Sequence, residues 1–185
     1  MTWPDFYRGR LLSEGYLAYF EERYAPFLDH IRKALQPEDL VIEVGCGLAT
    51  STKLLMRSNV PYFTSFRCYD HNPDMVQLAK QNVGVAAMVA QADARIPTYT
   101  RPDVVHSHGL LEHFSDTQIA WFLASQRLDG PRVSIHYVPG ELHGTPSFGD
   151  ERLLPLDYWV DTFAPTSWET FNDGRDYVLV WEGQR

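Results

Sequence analysis

The 185-residue sequence predicts an α/β fold: a mostly parallel sheet sandwiched between helices and closed by a C-terminal hairpin. Three observations carry that expectation. Strand-like apolar runs alternate with helix-like segments five times, and such alternation gives a parallel sheet with helices on both faces. The first run, Leu40-Val41-Ile42-Glu43-Val44, passes directly into Gly45-Cys46-Gly47 and a segment able to start a helix. The chain ends in two strand-like runs joined by Asp173-Gly174-Arg175, a hairpin signal.

Taken in order, residues 1–13 are aromatic and basic (Trp3, Phe6, Tyr7, Arg8, Arg10) without a clear period. Over residues 14–35, Tyr16, Tyr19, Phe20, Arg23, Tyr24, Phe27 and Ile31 recur at three- and four-residue steps, the pattern of an amphipathic helix. Pro26 kinks or divides it, and Pro37-Glu38-Asp39 ends it. The first strand covers roughly residues 40–45. Its β-branched Val41, Ile42 and Val44 suit a strand buried on both faces. Gly45 and Gly47 permit a sharp reversal and let a ligand lie against bare backbone. Thr50, Ser51 and Thr52 offer cap chemistry to a helix over 49–58, which stops at Asn59-Val60-Pro61.

A second strand over 62–69, rich in aromatic and β-branched residues, ends at Asp70. Asn72 caps the next helix and Pro73 takes its first position. Met75, Val76, Leu78 and Ala79 supply that helix's apolar face, and Gly84 closes the connection. A third strand over 85–92 ends at Asp93. The connection 94–102 holds two prolines and is too short for a long helix. Residues 103–107 form the fourth strand. Ser115 or Asp116 caps a helix carrying Ile119, Trp121, Phe122, Leu123 and Leu128, broken by Gly130-Pro131. The fifth strand covers 132–138. Residues 139–150 read as loop, 153–163 as a helix from Pro155, and 167–172 and 176–181 as the terminal strands. With no repeat, low-complexity tract or linker, residues 1–185 are expected to be one domain, with 1–35 as an N-terminal lid and helix region.

Composition narrows the function classes. At 44% hydrophobic and 14% aromatic residues the chain can bury a full core. A net charge of −8 argues against broad nucleic-acid binding, which runs on Lys and Arg. Cys46 and Cys68 suggest no disulfide framework, the N-terminus lacks signal-peptide features, and no apolar run approaches the roughly 20 residues of a membrane helix. A soluble, reducing, cytoplasmic setting without membrane contact is the expectation.

In such sheets ligands bind beyond the carboxyl ends of the strands. Three strand ends carry an acid there: Glu43, Asp70 and Asp93. Asp70 lies 23 residues after Gly47 (70 − 47), near the roughly 20-residue offset at which an acid reaches ribose hydroxyls. Asp93, one strand further, could accept from an exocyclic amine of adenine.

On these residues the sequence resembles the class I S-adenosylmethionine-dependent methyltransferases, in their small-molecule branch. The resemblance rests on Glu43-Val44-Gly45-Cys46-Gly47, on Asp70, on Gln91-Ala92-Asp93-Ala94, and on Asp103-Val104-Val105 through Leu111-Glu112-His113-Phe114. It covers roughly residues 30–182. It implies a Rossmann-like three-layer sandwich with seven strands, the last antiparallel, and S-adenosyl-L-methionine as cofactor. Glu43, Gly45, Cys46 and Gly47 would flank the cofactor's methionine end. Asp70 would hold the ribose, His71 and Met75 would lie near the adenine, Asp93 and Ala94 would meet its edge, and His108 and Gly109 would lie beside the sulfonium. A dinucleotide dehydrogenase also uses a glycine turn and a later acid, but here Thr50 replaces the third glycine of that fingerprint.

Five histidines, His106, His108, His113, His136 and His143, end or follow strands four and five. Three readings fit them: polar lining or hydrogen-bonded core, a general base for the acceptor, or a metal site. The base candidates are His108, His136 and His113. The spacing matches no specific metal signature, so no metal is expected. Cys46 reads as a small filler and Cys68 as buried in strand two. Tyr7, Tyr16 and Tyr19 could close over the cofactor and shape the acceptor pocket, but Tyr16, Tyr19, Phe20 and Phe27 read mainly as the helix's buried stripe; Trp3 and Phe6, outside it, are better lid candidates. No Asn-Pro-Pro-Tyr-type motif follows strand four, where Ser107-His108-Gly109-Leu110 stands. The expected function is methyl transfer to a small molecule. A protein acceptor, or a non-catalytic cofactor-binding module, is the alternative. Acceptor identity and oligomeric state are not written in the sequence.

Overall fold

Short β-branched and aromatic runs become the strands of a single seven-stranded sheet in the computed structural model, which describes residues 2–7, 13–58, 64–96, 101–128, 130–147 and 149–183. The strands are β1 (Leu40–Val44), β2 (Ser65–Asp70), β3 (Met88–Gln91), β4 (Val104–His108), β5 (Val133–Pro139), β6 (Ser167–Phe171) and β7 (Asp176–Glu182). Their order is β3-β2-β1-β4-β5-β7-β6. β7 runs antiparallel between β5 and β6, and the other pairings are parallel. The alternation and the terminal hairpin therefore give the expected seven-stranded architecture.

β1 pairs on both sides, with β2 and with β4, and Val41, Ile42 and Val44 are fully buried. A strand covered on both faces needs a continuous apolar run rather than an alternating one. The strand order reverses direction between β1 and β4, which opens a crevice beyond their carboxyl ends.

Helices α1 (Trp3–Tyr7), α2 (Glu14–Arg23), α3 (Ala25–Ala34), α4 (Thr50–Arg57), α5 (Pro73–Val83), α6 (Asp116–Leu128) and α7 (Leu156–Phe163) complete the layers. Phe27, Leu28 and Ile31 of α3 pack with Val41, Val104 and Ile135 on one sheet face. Ile119 and Phe122 of α6 and Trp159 of α7 pack with Ile42, Val105 and Leu179 on the other. Two cores on opposite faces make the three-layer sandwich.

One division is as expected at Pro26, and two features differ from expectation. The helix over 14–35 divides at Tyr24, because Pro26 has no N–H to continue the ladder and instead sits in the first turn of α3. The third strand is shorter, since Gly84–Ala86 forms a 3-10 turn that leaves Val85 fully exposed. A second 3-10 turn, Leu111–His113, follows β4. Arg8 and Arg10, the expected helix stop at Asn59-Val60-Pro61 and the first residues of the expected second strand, Tyr62 and Phe63, lie outside the described residues. No helix among the described residues is long and apolar enough to cross a membrane.

Candidate active site

The glycine turn after β1 is fixed by its neighbours. Gly45 has φ +61°, and a Cβ there would lie 2.6 Å from Leu110 Cδ1. Gly47 has φ +54°, and its missing Cβ would face the Tyr7 hydroxyl and Met75 Cε across the cavity. Left-handed backbone is cheap for glycine and costs other residues roughly 1–2 kcal/mol. The turn therefore presents bare backbone where a ligand can approach.

Asp70 ties this turn to the next connection. Its Oδ2 accepts from Gly47 N–H at 2.9 Å, and its Oδ1 accepts from Asn72 N–H at 2.9 Å. The acid at the end of β2 is thus a hub that sets both loops, as well as a carboxylate on the cavity wall.

The start of α4 is organised differently from expectation. Ala49 occupies the N-cap position in left-handed geometry and makes no side-chain cap bond. Glu43 supplies the cap from the sheet: its Oε2 accepts from Thr52 N–H at 3.2 Å and Thr52 Oγ1–H at 2.6 Å. Glu43 is 2% exposed. Burial pushes its carboxyl up to about 7, against the pull of the Thr52 bonds.

These features face one cavity of about 880 Å³, within the roughly 300–1,000 Å³ of small-molecule pockets. All residues expected at the cofactor line it: Glu43, Gly45, Cys46, Gly47, Asp70, His71, Met75, Asp93, Ala94, His108 and Gly109. Met75 is buried, while the His71 side chain is 67% exposed. Both Asp93 oxygens are engaged by the Arg95 fork, with NH2 to Oδ2 at 2.6 Å, so Arg95 competes for the carboxylate expected at the adenine edge. That hydrogen bonding lowers the Asp93 pKa. The Cys46 thiol is pushed well above its usual range by its hydrogen bond with Cys68 and by burial, which disfavours the thiolate a nucleophile needs.

The other end of the cavity is aromatic. His108 stacks on Tyr137 at 4.3 Å between centroids and meets the edge of Tyr24 at 4.2 Å. Burial lowers its pKa to about 3, so it is a neutral imidazole. A base this weak removes protons poorly near neutral pH. His113 donates from Nδ1 to Asp150 Oδ1 at 2.9 Å and packs on the edge of Trp3.

His136 is a correction. It lies on the opposite sheet face, fully buried between Phe122 and Trp181, with Nδ1 hydrogen-bonded to Ser107 Oγ at 2.8 Å. It does not line the cavity, and burial lowers its pKa to about 3. The side-chain period of two on β5 decides this: Tyr137 points to the cavity, so its neighbour points away. His106 shares the face of His108 against Phe27, but is buried beneath it.

Two buried acids, Asp176 and Glu112, were given no role by the sequence, whereas His143, Tyr16 and Tyr19 stood among its candidates. Asp176, at the start of β7, is fully buried and gathers four donors. Tyr137 Oη–H and His143 Nε2–H reach its Oδ1, each at 2.8 Å; Arg23 NH2 and Asn172 Nδ2 reach its Oδ2 at 2.8 and 2.6 Å. His143 lines the cavity, and Asp176 fixes its ring. Tyr16, Tyr19, Phe20 and Tyr24 line the cavity too; of the expected stripe, Phe20 and Phe27 are core residues, Tyr16 packs against that core, and Tyr19 is exposed. Trp3 and Tyr7 of α1 line it; the Phe6 side chain lies outside the described residues. Glu112, buried to 1% exposure beneath Gly109, stood inside a motif whose other members drew the reading.

Residues 41–128 match a family model described as a methyltransferase domain. No curated protein matches the sequence. Solved structures share the fold at low identity. The Pyrococcus horikoshii OT3 protein PH0226 superposes with a TM-score of 0.75 at 15% identity, over 97% of this chain and 99% of that one. Magnesium protoporphyrin IX methyltransferase from Synechocystis PCC 6803, solved with bound SAH, gives 0.68 at 13% identity, over 97% and 94%. Geranyl diphosphate C-methyltransferase from Streptomyces coelicolor A3(2) gives 0.64 at 9% identity, over 89% and 76%.

Proposed function

We propose that this chain, which matches a methyltransferase domain over residues 41–128 and shares the fold of solved methyltransferases, transfers a methyl group from S-adenosyl-L-methionine to a small-molecule acceptor. One observation carries the cofactor half of this reading. The bare backbone of Gly45 and Gly47 and the carboxylate of Asp70 face the same cavity. That donor set fits a nucleoside with an amino-acid tail: Asp70 keeps acceptor capacity for ribose hydroxyls, and Met75 offers an apolar wall for the base. No cradle for a diphosphate is needed, consistent with Thr50 in place of a third glycine.

When bound, the cofactor supplies an activated methyl on its sulfonium. The chain's own residues then position and shield. Gly109 and Leu110 leave β4 beside the glycine turn, and Trp3 and Tyr7 exclude water from above. Tyr16, Phe20, Tyr24 and Tyr137 give the acceptor end an apolar, aromatic wall, which suits a small molecule with an unsaturated or aromatic face. If the acceptor must lose a proton, His143 is the base the geometry favours. Asp176 accepts from its Nε2–H, which leaves Nδ1 to receive that proton. The net charge of −8 disfavours a nucleic-acid acceptor, whose backbone is bound through Lys and Arg. Two unpaired cysteines suit a reducing compartment, and we assign the enzyme to the cytoplasm.

The test has two arms. Calorimetry with S-adenosylhomocysteine should show binding that Asp70→Ala weakens; no binding to the wild type overturns the reading. Incubation of labelled cofactor with a size-fractionated cell extract should place label in the small-molecule fraction. Label in protein would redirect the acceptor assignment, and none at all would favour a binding module.

A further inference from the structure

We propose that Glu112, His113 and Glu151 form a site for one divalent first-row cation in the wall of the cavity. No spacing in the sequence announces it, because Glu151 comes from the loop after β5 and the other two from the 3-10 turn after β4. The fold brings one ligand atom from each within 4.8 Å of the others. Donors about 2.0–2.2 Å from a common ion stand roughly 3–4 Å apart, so a small closure completes the shell.

The observation that asks for a ligand is at Glu112. The residue is 1% exposed and lines the cavity, yet Oε2 has no hydrogen-bond partner among the described residues. A buried carboxylate oxygen left without a partner costs several kcal/mol, on the order of 2–7 for a polar group and more for a charge. A second carboxylate, Glu151, lies in the same cluster and adds repulsion. Either a proton or a cation must relieve both. The surroundings favour a cation. His113 donates Nδ1–H to Asp150, the carboxylate–histidine arrangement that orients an imidazole and leaves Nε2 to ligate. Ser147 fixes both oxygens of Glu151 through its N–H and hydroxyl. Two carboxylates and one imidazole suit Mn²⁺, Fe²⁺ or Zn²⁺ better than an all-oxygen shell ion. Waters or an oxygen-bearing acceptor would fill the remaining positions. That last use rests on the methyl-transfer reading, whereas the site itself does not.

The experiment titrates chelator-treated protein with Mn²⁺, reading free Mn²⁺ by electron paramagnetic resonance and heat by calorimetry, with Zn²⁺ as competitor. One equivalent should bind saturably, Zn²⁺ should displace it, and Glu112→Gln should weaken it at least about tenfold. Glu151→Gln, at a half-buried loop position, should do the same and guards against a Glu112 variant that fails to fold. No saturable binding overturns the proposal and leaves Glu112 as a buried neutral acid. Binding unchanged in both variants overturns it as well, since the ion would then sit elsewhere. A parallel S-adenosylhomocysteine titration of the wild type separates failure of this site from failure of the cofactor reading.

Discussion

Replacing Glu43 with Gln isolates one buried proton. Glu43 sits in β1 at 2% exposure and caps α4 through Thr52. Its ordinary value of 4.5 is raised to about 7, chiefly by burial. A carboxyl whose pKa rises on folding binds its proton more tightly in the folded state. That contribution is fully present below about pH 4.5 and is lost as pH rises through about 7. At 1.36 kcal/mol per pH unit, that rise in pKa is worth about 3 kcal/mol in all, most of which falls between pH 5 and 8.

Glutamine keeps an oxygen for the Thr52 donors but cannot titrate. Urea unfolding of both proteins at pH 5, 6.5 and 8 gives the difference in stability at each pH. Wild type should lose about 2–3 kcal/mol relative to Glu43→Gln across that range. The buried histidines work in the opposite direction. His106 and His136, lowered to about 3, stabilise above about pH 6.5 and cost stability as pH falls. They titrate identically in both proteins and cancel in the difference. A difference that stays constant within about 0.5 kcal/mol would falsify the burial argument, and one of opposite sign would mean that Glu43 is held ionised.

Further outcomes follow from the same geometry. Asp70→Asn should weaken S-adenosylhomocysteine binding roughly 10–100-fold by calorimetry, because it removes a charge-assisted acceptor and loosens Gly47 together. His136→Gln should cost about 1–3 kcal/mol in urea unfolding and leave that affinity within about twofold; a collapse in affinity would return His136 to the site. Arg23→Leu should cost about 2–4 kcal/mol by removing the cation from buried Asp176, and an unchanged midpoint would show that the other three donors suffice. Gly45→Ala should lose about 1–3 kcal/mol and abolish detectable binding; adding Leu110→Ala should relieve the contact but not the φ penalty, so rescue should be partial.

What the sequence disclosed and what it hid divide along one physical line. The cofactor end is local. Gly45, Gly47, Asp70 and Asp93 each sit where a strand stops, and the crevice of a parallel sheet collects strand ends whatever the rest of the chain does. Position along the chain was therefore enough to bring those residues together. Even there, the roles shifted: of Thr50, Ser51 and Thr52, expected to cap α4, Thr52 donates to Glu43, and that buried acid of β1 is the acceptor at the helix's first turn. The acceptor end is not local. Asp176 meets Tyr137 only because β7 pairs antiparallel with β5 in the register that sets Tyr137 opposite Val178. Arg23 arrives from a helix 153 residues earlier. Nothing in a strand run fixes such a register in advance, and a slip of one residue exchanges Tyr137 for His136 on the cavity face. That exchange is why His136, named as a base candidate on its place in the strand alone, lies on the far face of the sheet, while His143, a loop residue, is held at the cavity by Asp176 of a distant strand.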